Sequence, residues 1–286
     1  MGGTMVRRSA IVLLLGFTLA GCTGTGSKGK IVFQSNRDGN FEIYSIADDG
    51  TNLQRLTDSS AYDICPSWSP DGSQIVFASD RDGNWEIYTM KANGQDVKRL
   101  TIPPGSNTSP SWAVGGTKIL FVSTRDVMNG EIYMMNVDGS GVERLTHDST
   151  VKDSPVMSPD GNSIAFTRET LDGSSIALLN LAGKSVSSLS PLLLKATSAR
   201  FSPDGSLIVF SAPAEGRMAI FTMTRSGQNV KRITPGGEDR RTPTWKGSDK
   251  EIIFSMSGGL YVRSLETGKE IPVSTKGDSY PNWIEN

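Results

Sequence analysis

Ile31-Val32-Phe33, Ile75-Val76-Phe77, Ile119-Leu120-Phe121, Ile164-Ala165-Phe166, Ile208-Val209-Phe210 and Ile252-Ile253-Phe254 are six versions of one apolar strand core. They start 44, 44, 45, 44 and 44 residues apart. A fixed period in the forties, with four strand-like runs in each repeat, is the mark of a β-propeller. The second repeat shows the plan. Gln74–Ser79 is an apolar strand and Asp80-Arg81-Asp82-Gly83-Asn84 a turn. Glu86–Met90 is the next strand, Ala92-Asn93-Gly94-Gln95 a tight hairpin, and Val97–Thr101 a third strand. Pro110-Ser111-Trp112 opens a fourth.

That proline-led strand recurs at Pro66, Pro110, Pro155, Pro243 and Pro281, with Ala199 as the exception. Proline lacks an N–H, so it fits a sheet at an edge or a strand start. The innermost strand of a blade is such an edge. Two residues later stand Trp68, Trp112, Met157, Phe201, Trp245 and Trp283, all bulky, as packing between neighbouring sheets requires. The first repeat lacks its innermost strand, and Pro281-Asn282-Trp283-Ile284 supplies an orphan one. The expected fold is therefore all-β: a six-bladed β-propeller of four-stranded antiparallel blades, closed by the C-terminal strand joining the N-terminal blade.

The N-terminus reads as an export signal. Arg7 and Arg8 precede an apolar run from Ala10 to Leu19, too short to span a bilayer, and the run ends in Leu19-Ala20-Gly21-Cys22. This end resembles the lipobox of bacterial lipoproteins, in which the cysteine carries the lipid. The expected organisation is a signal peptide over 1–21, a lipidated Cys22 and flexible tether over 22–29, and the propeller over 30–286. Cys65 is the only other cysteine and then has no partner, so no disulfide frame is expected despite export. Removing the signal takes two of the 29 basic residues and none of the 30 acidic ones, and a negative chain argues against nucleic acid as a partner.

Ser69-Pro70-Asp71-Gly72, Ser158-Pro159-Asp160-Gly161 and Ser202-Pro203-Asp204-Gly205 each precede an apolar strand. With Arg-Asp-Gly-Asn and Glu-Ile-Tyr, they make the chain resemble the WD-like repeats of the TolB family propeller, over roughly residues 30–286 and best in repeats one to three. The resemblance implies an envelope location and, as partner, a Pal-like lipoprotein. If the host is Gram-negative, Thr23 after the cysteine implies the periplasmic face of the outer membrane. The family's additional N-terminal α/β domain, which contacts TolA, has no room here, and the family's soluble form contrasts with a lipid anchor. The Ser-Pro-Asp-Gly turns read as structural, because proline fixes φ and aspartate bonds its own backbone.

Catalytic chemistry finds little purchase. His147 is the single histidine, so a histidine metal cluster is not available, and no Gly-x-Ser-x-Gly element accompanies it. Asp80-x-Asp82-Gly83-Asn84 lacks the sixth-position glycine of an EF-hand loop, and Lys91 stands where its bidentate glutamate is needed. No cofactor and no metal are expected. What is left is a surface. The loops before the innermost strands and those between the second and third strands share one face of a propeller. On that face the candidate binding residues are Arg37, Asp38, Tyr62, Asp63, Arg81, Asp82, Trp85, Arg125, Asp126, Asp153, Arg240, Arg241 and Tyr280. The expected role is a non-catalytic protein-interaction scaffold, monomeric, held to the membrane by its lipid alone. The alternative is a glycan- or peptidoglycan-binding module stacking sugars on Tyr62, Trp85 and Tyr280. A lyase or hydrolase ranks behind both.

Overall fold

The computed structural model describes residues 29–190 and 195–285; the expectations placed on the signal, Cys22 and the tether lie outside them. The alternating apolar cores pair into six four-stranded antiparallel sheets. Blade one holds β1 (Gly29–Ser35), β2 (Glu42–Ala47) and β3 (Gln54–Arg55). Blade two holds β4 (Asp63–Trp68), β5 (Gln74–Ser79), β6 (Glu86–Lys91) and β7 (Lys98–Arg99). Blade three holds β8 (Asn107–Trp112), β9 (Lys118–Ser123), β10 (Glu131–Asn136) and β11 (Glu143–Arg144). Blade four holds β12 (Val151–Met157), β13 (Ser163–Thr170), β14 (Gly173–Asn180) and β15 (Ser185–Ser188). Blade five holds β16 (Thr197–Phe201), β17 (Leu207–Ala214), β18 (Arg217–Thr224) and β19 (Lys231–Arg232). Blade six holds β20 (Arg240–Lys246), β21 (Ser248–Met256), β22 (Gly259–Ser264) and β23 (Glu270–Pro272). The last strand, β24 (Asp278–Glu285), returns to blade one and pairs with β1 from Gly29↔Glu285 to Ser35↔Asp278, which closes the ring as expected.

The core lies between blades. Six apolar clusters each draw on two adjacent sheets, and each includes one member of the bulky ring: Trp68, Trp112, Met157, Phe201, Trp245 or Trp283. Blade packing therefore accounts for these side chains. The Phe of each strand core in blades one to three stacks on the Tyr across the sheet, as in Phe77–Tyr88 at 5.7 Å between centroids. Four outermost strands have only two residues, shorter than the sequence suggests, because the edge has no further strand to pair with.

The prolines correct the sequence reading. The innermost strands begin several residues before the proline, at Asp63, Asn107, Val151, Arg240 and Asp278. Each proline sits mid-strand in a β-bulge, where the ladder register shifts, for example between Ile64 and Ser67. The residue before each proline, and Ser198 before Ala199 in blade five, is left-handed: Cys65, Ser109, Ser154, Ser198, Thr242 and Tyr280 have φ between 49° and 57°. The bulge withdraws one residue from pairing, so a residue without an N–H costs nothing there.

Candidate functional site

The loop-rich face is built on a device that repeats in blades one to three. The strand order places Arg37, Arg81 and Arg125 on the loops after β1, β5 and β9. Each guanidinium folds back over its stacked Phe–Tyr pair, at 4.8 to 5.5 Å from the ring centroids. Its tip then bonds a buried residue at the start of the innermost strand. Arg81 Nη2 holds both oxygens of Asp63 at 2.9 Å, Arg37 reaches Asp278 at 2.5 Å, and Arg125 reaches Asn107 Oδ1 at 3.2 Å. The next residue closes the clamp. The Tyr88 and Tyr133 hydroxyls donate to Asp82 and Asp126 at 2.5 Å, and Tyr44 donates to Asp38. Burial first, and the carboxylate second, push the Tyr44 and Tyr133 phenols up to about 12.

The Glu-Ile-Tyr motif and the recurring Arg55-Leu56-Thr57, Arg99-Leu100-Thr101 and Arg144-Leu145-Thr146 belong to the same machinery. Glu42, Glu86 and Glu131 are fully buried. Each accepts from the arginine and the threonine hydroxyl of the outer strand, as Glu86 does from Arg99 at 2.9 Å and Thr101 at 2.5 Å. In blade three the buried Lys152 adds a second cation at 3.0 Å from Glu131. A buried carboxylate needs such partners, because an unpaired one is strongly disfavoured.

The sequence-predicted face residues thus separate into groups. Asp63 and Arg240 are not surface charges: Asp63 is fully buried, and burial pushes its carboxyl up more than Ser79 and Arg81 pull it down. Arg240 is 5% exposed and lies 3.2 Å from Glu270. Arg37, Arg81 and Arg125 are half-buried clamps, with Asp38, Asp82 and Asp126 exposed beside them but bonded to tyrosines. Trp85 packs against the core between blades two and three. Tyr280 lines the central channel, and Asp153 sits above it, accepting from Ser109 at 2.5 Å. Tyr62, 49% exposed against Phe41, Arg241, paired with Asp239 at 3.5 Å, and the exposed Asp153 stay open on the face. Tyr62, Trp85 and Tyr280 therefore occupy three different surroundings.

Sequence reasoning missed two features. The first is apolar: Ile102, Met128 and Leu171 stand 71%, 95% and 107% exposed on loops of this face. No equivalent residue recurs in the other repeats, which was the available signal. The second is the channel itself. A cavity of about 250 Å³ runs along the innermost strands from Cys65, Ser109, Ser154 and Tyr280 to the Ser69-Pro70 turn. Burial pushes the Cys65 thiol up to about 12, which leaves it uncharged and unreactive. Among the described residues, no three His, Cys, Asp or Glu side chains come together as a metal site.

A closed ring of six WD-like blades defines a β-propeller whose unlike faces distinguish one end from the other. The chain belongs to the TolB beta propeller domain family, whose model matches residues 24–103, 81–196 and 154–283. A 44-residue stretch is 52% identical to the "Protein TolB homolog" of Chlorobium luteolum, covering 15% of this chain and 10% of that protein. A 56-residue stretch is 43% identical to the "Tol-Pal system protein TolB" of Geobacter sulfurreducens, covering 18% and 13%. The matched stretches span only a small part of these curated relatives. Among solved structures, TolB from Acinetobacter baumannii superposes with a TM-score of 0.77 at 21% identity, over 89% of this chain and 66% of that one. An oligogalacturonate lyase in complex with manganese shares the fold, with a TM-score of 0.56 at 14% identity over 86% of this chain and 74% of that one.

Proposed function

We propose that this chain is a non-catalytic scaffold of the cell envelope, anchored by a lipid on Cys22, that docks a protein on its loop-rich face. The observation that carries the reading is the exposure of Ile102, Met128 and Leu171 there. Large apolar side chains left in water on one face are characteristic of interaction surfaces. Exposed apolar residues toward the other end, Leu53, Val97, Val142 and Val230, recur in register one residue before an outer strand and belong to the repeat itself.

The chain direction supports the same reading. β1 starts at Gly29 opposite Glu285, at the hairpin end of the ring, and runs toward the loops. A tether ahead of Gly29 would hold the hairpin end toward the membrane and turn the loop-rich face away from it. The name of the Geobacter relative, a Tol-Pal system protein, makes an envelope protein of the Pal-like lipoprotein kind the first partner to test. The glycan alternative is weaker, because its three aromatics form no common platform. Among the described residues, no catalytic constellation favours a lyase or hydrolase.

Crosslinking and capture from native membranes tests the docking face. Serine at Ile102, Met128 and Leu171 is expected to abolish capture of a specific partner, and serine at Val97 and Val230 to preserve it. Equal capture by both sets would remove the loop face as the docking surface. In fractionation, Cys22→Ser is expected to move the protein from membranes to the soluble fraction with its melting temperature unchanged. Retention of that variant on membranes would exclude the lipid anchor.

A further inference from the structure

Blade five breaks the repeat where the chain meets the axis. Just before the bulky ring stand Ser67, Ser111, Val156, Arg200, Thr244 and Asn282, and only Arg200 carries a charge. Arg200 lines the channel cavity together with Trp68, Tyr280 and Asn282. Its Nη1 donates to the Ala199 carbonyl at 2.8 Å, and it makes no ion pair among the described residues. Other polar groups lining the same cavity are also donors without acceptors among the described residues. Trp68 is 5% exposed and its Nε1 has no partner. The Tyr280 hydroxyl makes no hydrogen bond among the described residues. Asn282 Oδ1 accepts from the Trp68 backbone N–H at 2.8 Å, which turns its amide N–H groups the other way.

Unpaired donors lining the same cavity as a half-buried guanidinium form an environment that an anion completes. The charged and titratable groups facing Arg200 are Cys65, Asp153 and Tyr280. Burial raises the pKa of both the Cys65 thiol and the Tyr280 phenol, so both are neutral at physiological pH. Asp153 is the one negative group, exposed and engaged by the Ser109 and Ser154 hydroxyls at 2.5 and 3.1 Å. Its charge disfavours a dianion nearby and leaves room for a single negative charge. The planar guanidinium fork matches a carboxylate. Pro66, Pro110, Val156 and Met157 give the cavity apolar walls suited to a short hydrocarbon body.

We propose that the central channel is a binding site for a small monocarboxylate, with Arg200 as the anchor and Tyr280, Asn282 and Trp68 as donors around it. The site lies toward the hairpin end and is independent of the protein-docking face. Chemical-shift titration of the Arg200 Nε–H in ¹⁵N-arginine-labelled protein tests it, with butyrate, benzoate, butyramide and inorganic phosphate as probes at millimolar concentration. Saturable shifts are expected with butyrate or benzoate and with neither of the other two. By calorimetry, Arg200→Gln is expected to weaken carboxylate binding about tenfold or more, the scale of a lost charged hydrogen bond. Tyr280→Phe, which keeps the charge and the shape, is expected to weaken it by a smaller factor. If Arg200→Gln fails to fold, Arg200→Lys retains the charge without the fork and is expected to bind carboxylate more weakly than the parent; equal affinity would overturn the role of the fork. The absence of saturable shifts with both carboxylates, or phosphate binding as tightly as butyrate, would overturn the proposal.

Discussion

Arg240 and Arg241 are neighbours in the chain with opposite surroundings. Arg241 is exposed and pairs loosely with Asp239, whereas Arg240 is enclosed with Glu270 and the Pro235 carbonyl at 3.1 Å. Arg241→Glu is expected to change stability by less than about 0.5 kcal/mol, the range of ordinary surface substitutions. Arg240→Glu places a second carboxylate against Glu270 and is expected to cost about 3 kcal/mol or more. Urea denaturation of the two variants checks this, and equal midpoints would mean that Arg240 is not enclosed. The sequence reads both as loop charges because the surrounding loops are polar. It does hold a hint of the truth. Asp63 with Arg81, and Asn107 with Arg125, share a separation of 18 residues, the signature of a repeated internal pair rather than of scattered solvent charges. Nothing comparable marks Arg240, whose partner is 30 residues away in the outermost strand of its blade.

At the scale of the element, the Ser-Pro-Asp-Gly turns are closed hydrogen-bond circuits, as their composition suggests. Ser69 Oγ donates to Asp71 at 2.6 Å and accepts from the Gln74 N–H at 2.9 Å, while Asp71 also accepts from the Ser73 N–H at 3.1 Å. Ser202 and Asp204 repeat the arrangement with Leu207 and Ser206. These bonds, the serine hydroxyl first, hold the carboxyls of Asp71 and Asp204 down at about 2. A carboxyl whose pKa is lower folded than unfolded stabilises the fold above its ordinary pKa and loses that contribution as acid protonates it. Melting temperature is therefore expected to fall between about pH 4 and pH 2, and an Asp71→Asn/Asp204→Asn double variant to show a shallower fall across that window. An unaltered acid profile in the double variant would show that these turns do not contribute to the acid limb. The bulge at each inner-strand proline was less legible. The sequence shows that proline recurs, but not that the residue before it turns left-handed, since cysteine, serine, threonine and tyrosine carry no mark of that conformation.

For the molecule as a whole, the period of the apolar cores was enough to give blade number, strand order and closure, because each depends on register rather than on side-chain detail. The face residues depend on which way a loop folds back, and that is decided by ring stacking and buried pairing across strands distant in sequence. Closure is the feature whose loss should be most costly. Trp283 packs in the cluster shared by blades six and one. A Cβ added to Gly29 would lie 2.3 Å from the Ile284 carbonyl oxygen and 2.5 Å from the Trp283 ring. Trp283→Ala is expected to cost about 3 kcal/mol, the lower end for a tryptophan that is only partly buried. Deleting residues 281–286 adds the loss of the β1 pairing, and is expected to lower the melting temperature further and broaden the transition. A truncation that melts within a degree or two of the parent would contradict this closure.

The way β1 is held also sets how the ring answers a mechanical load. The strand is flanked on both sides, by β2 from Lys30↔Ala47 to Ser35↔Glu42 and by β24 from Gly29↔Glu285 to Ser35↔Asp278. A pull on the chain at Gly29, resisted by something grasping the opposite end of the ring, runs along the axis of that strand. The two ladders are then loaded in shear, with their hydrogen bonds sharing the force, and not peeled open one bond after another. The seam where β1 meets β24 is thereby the part of the ring arranged to withstand tension.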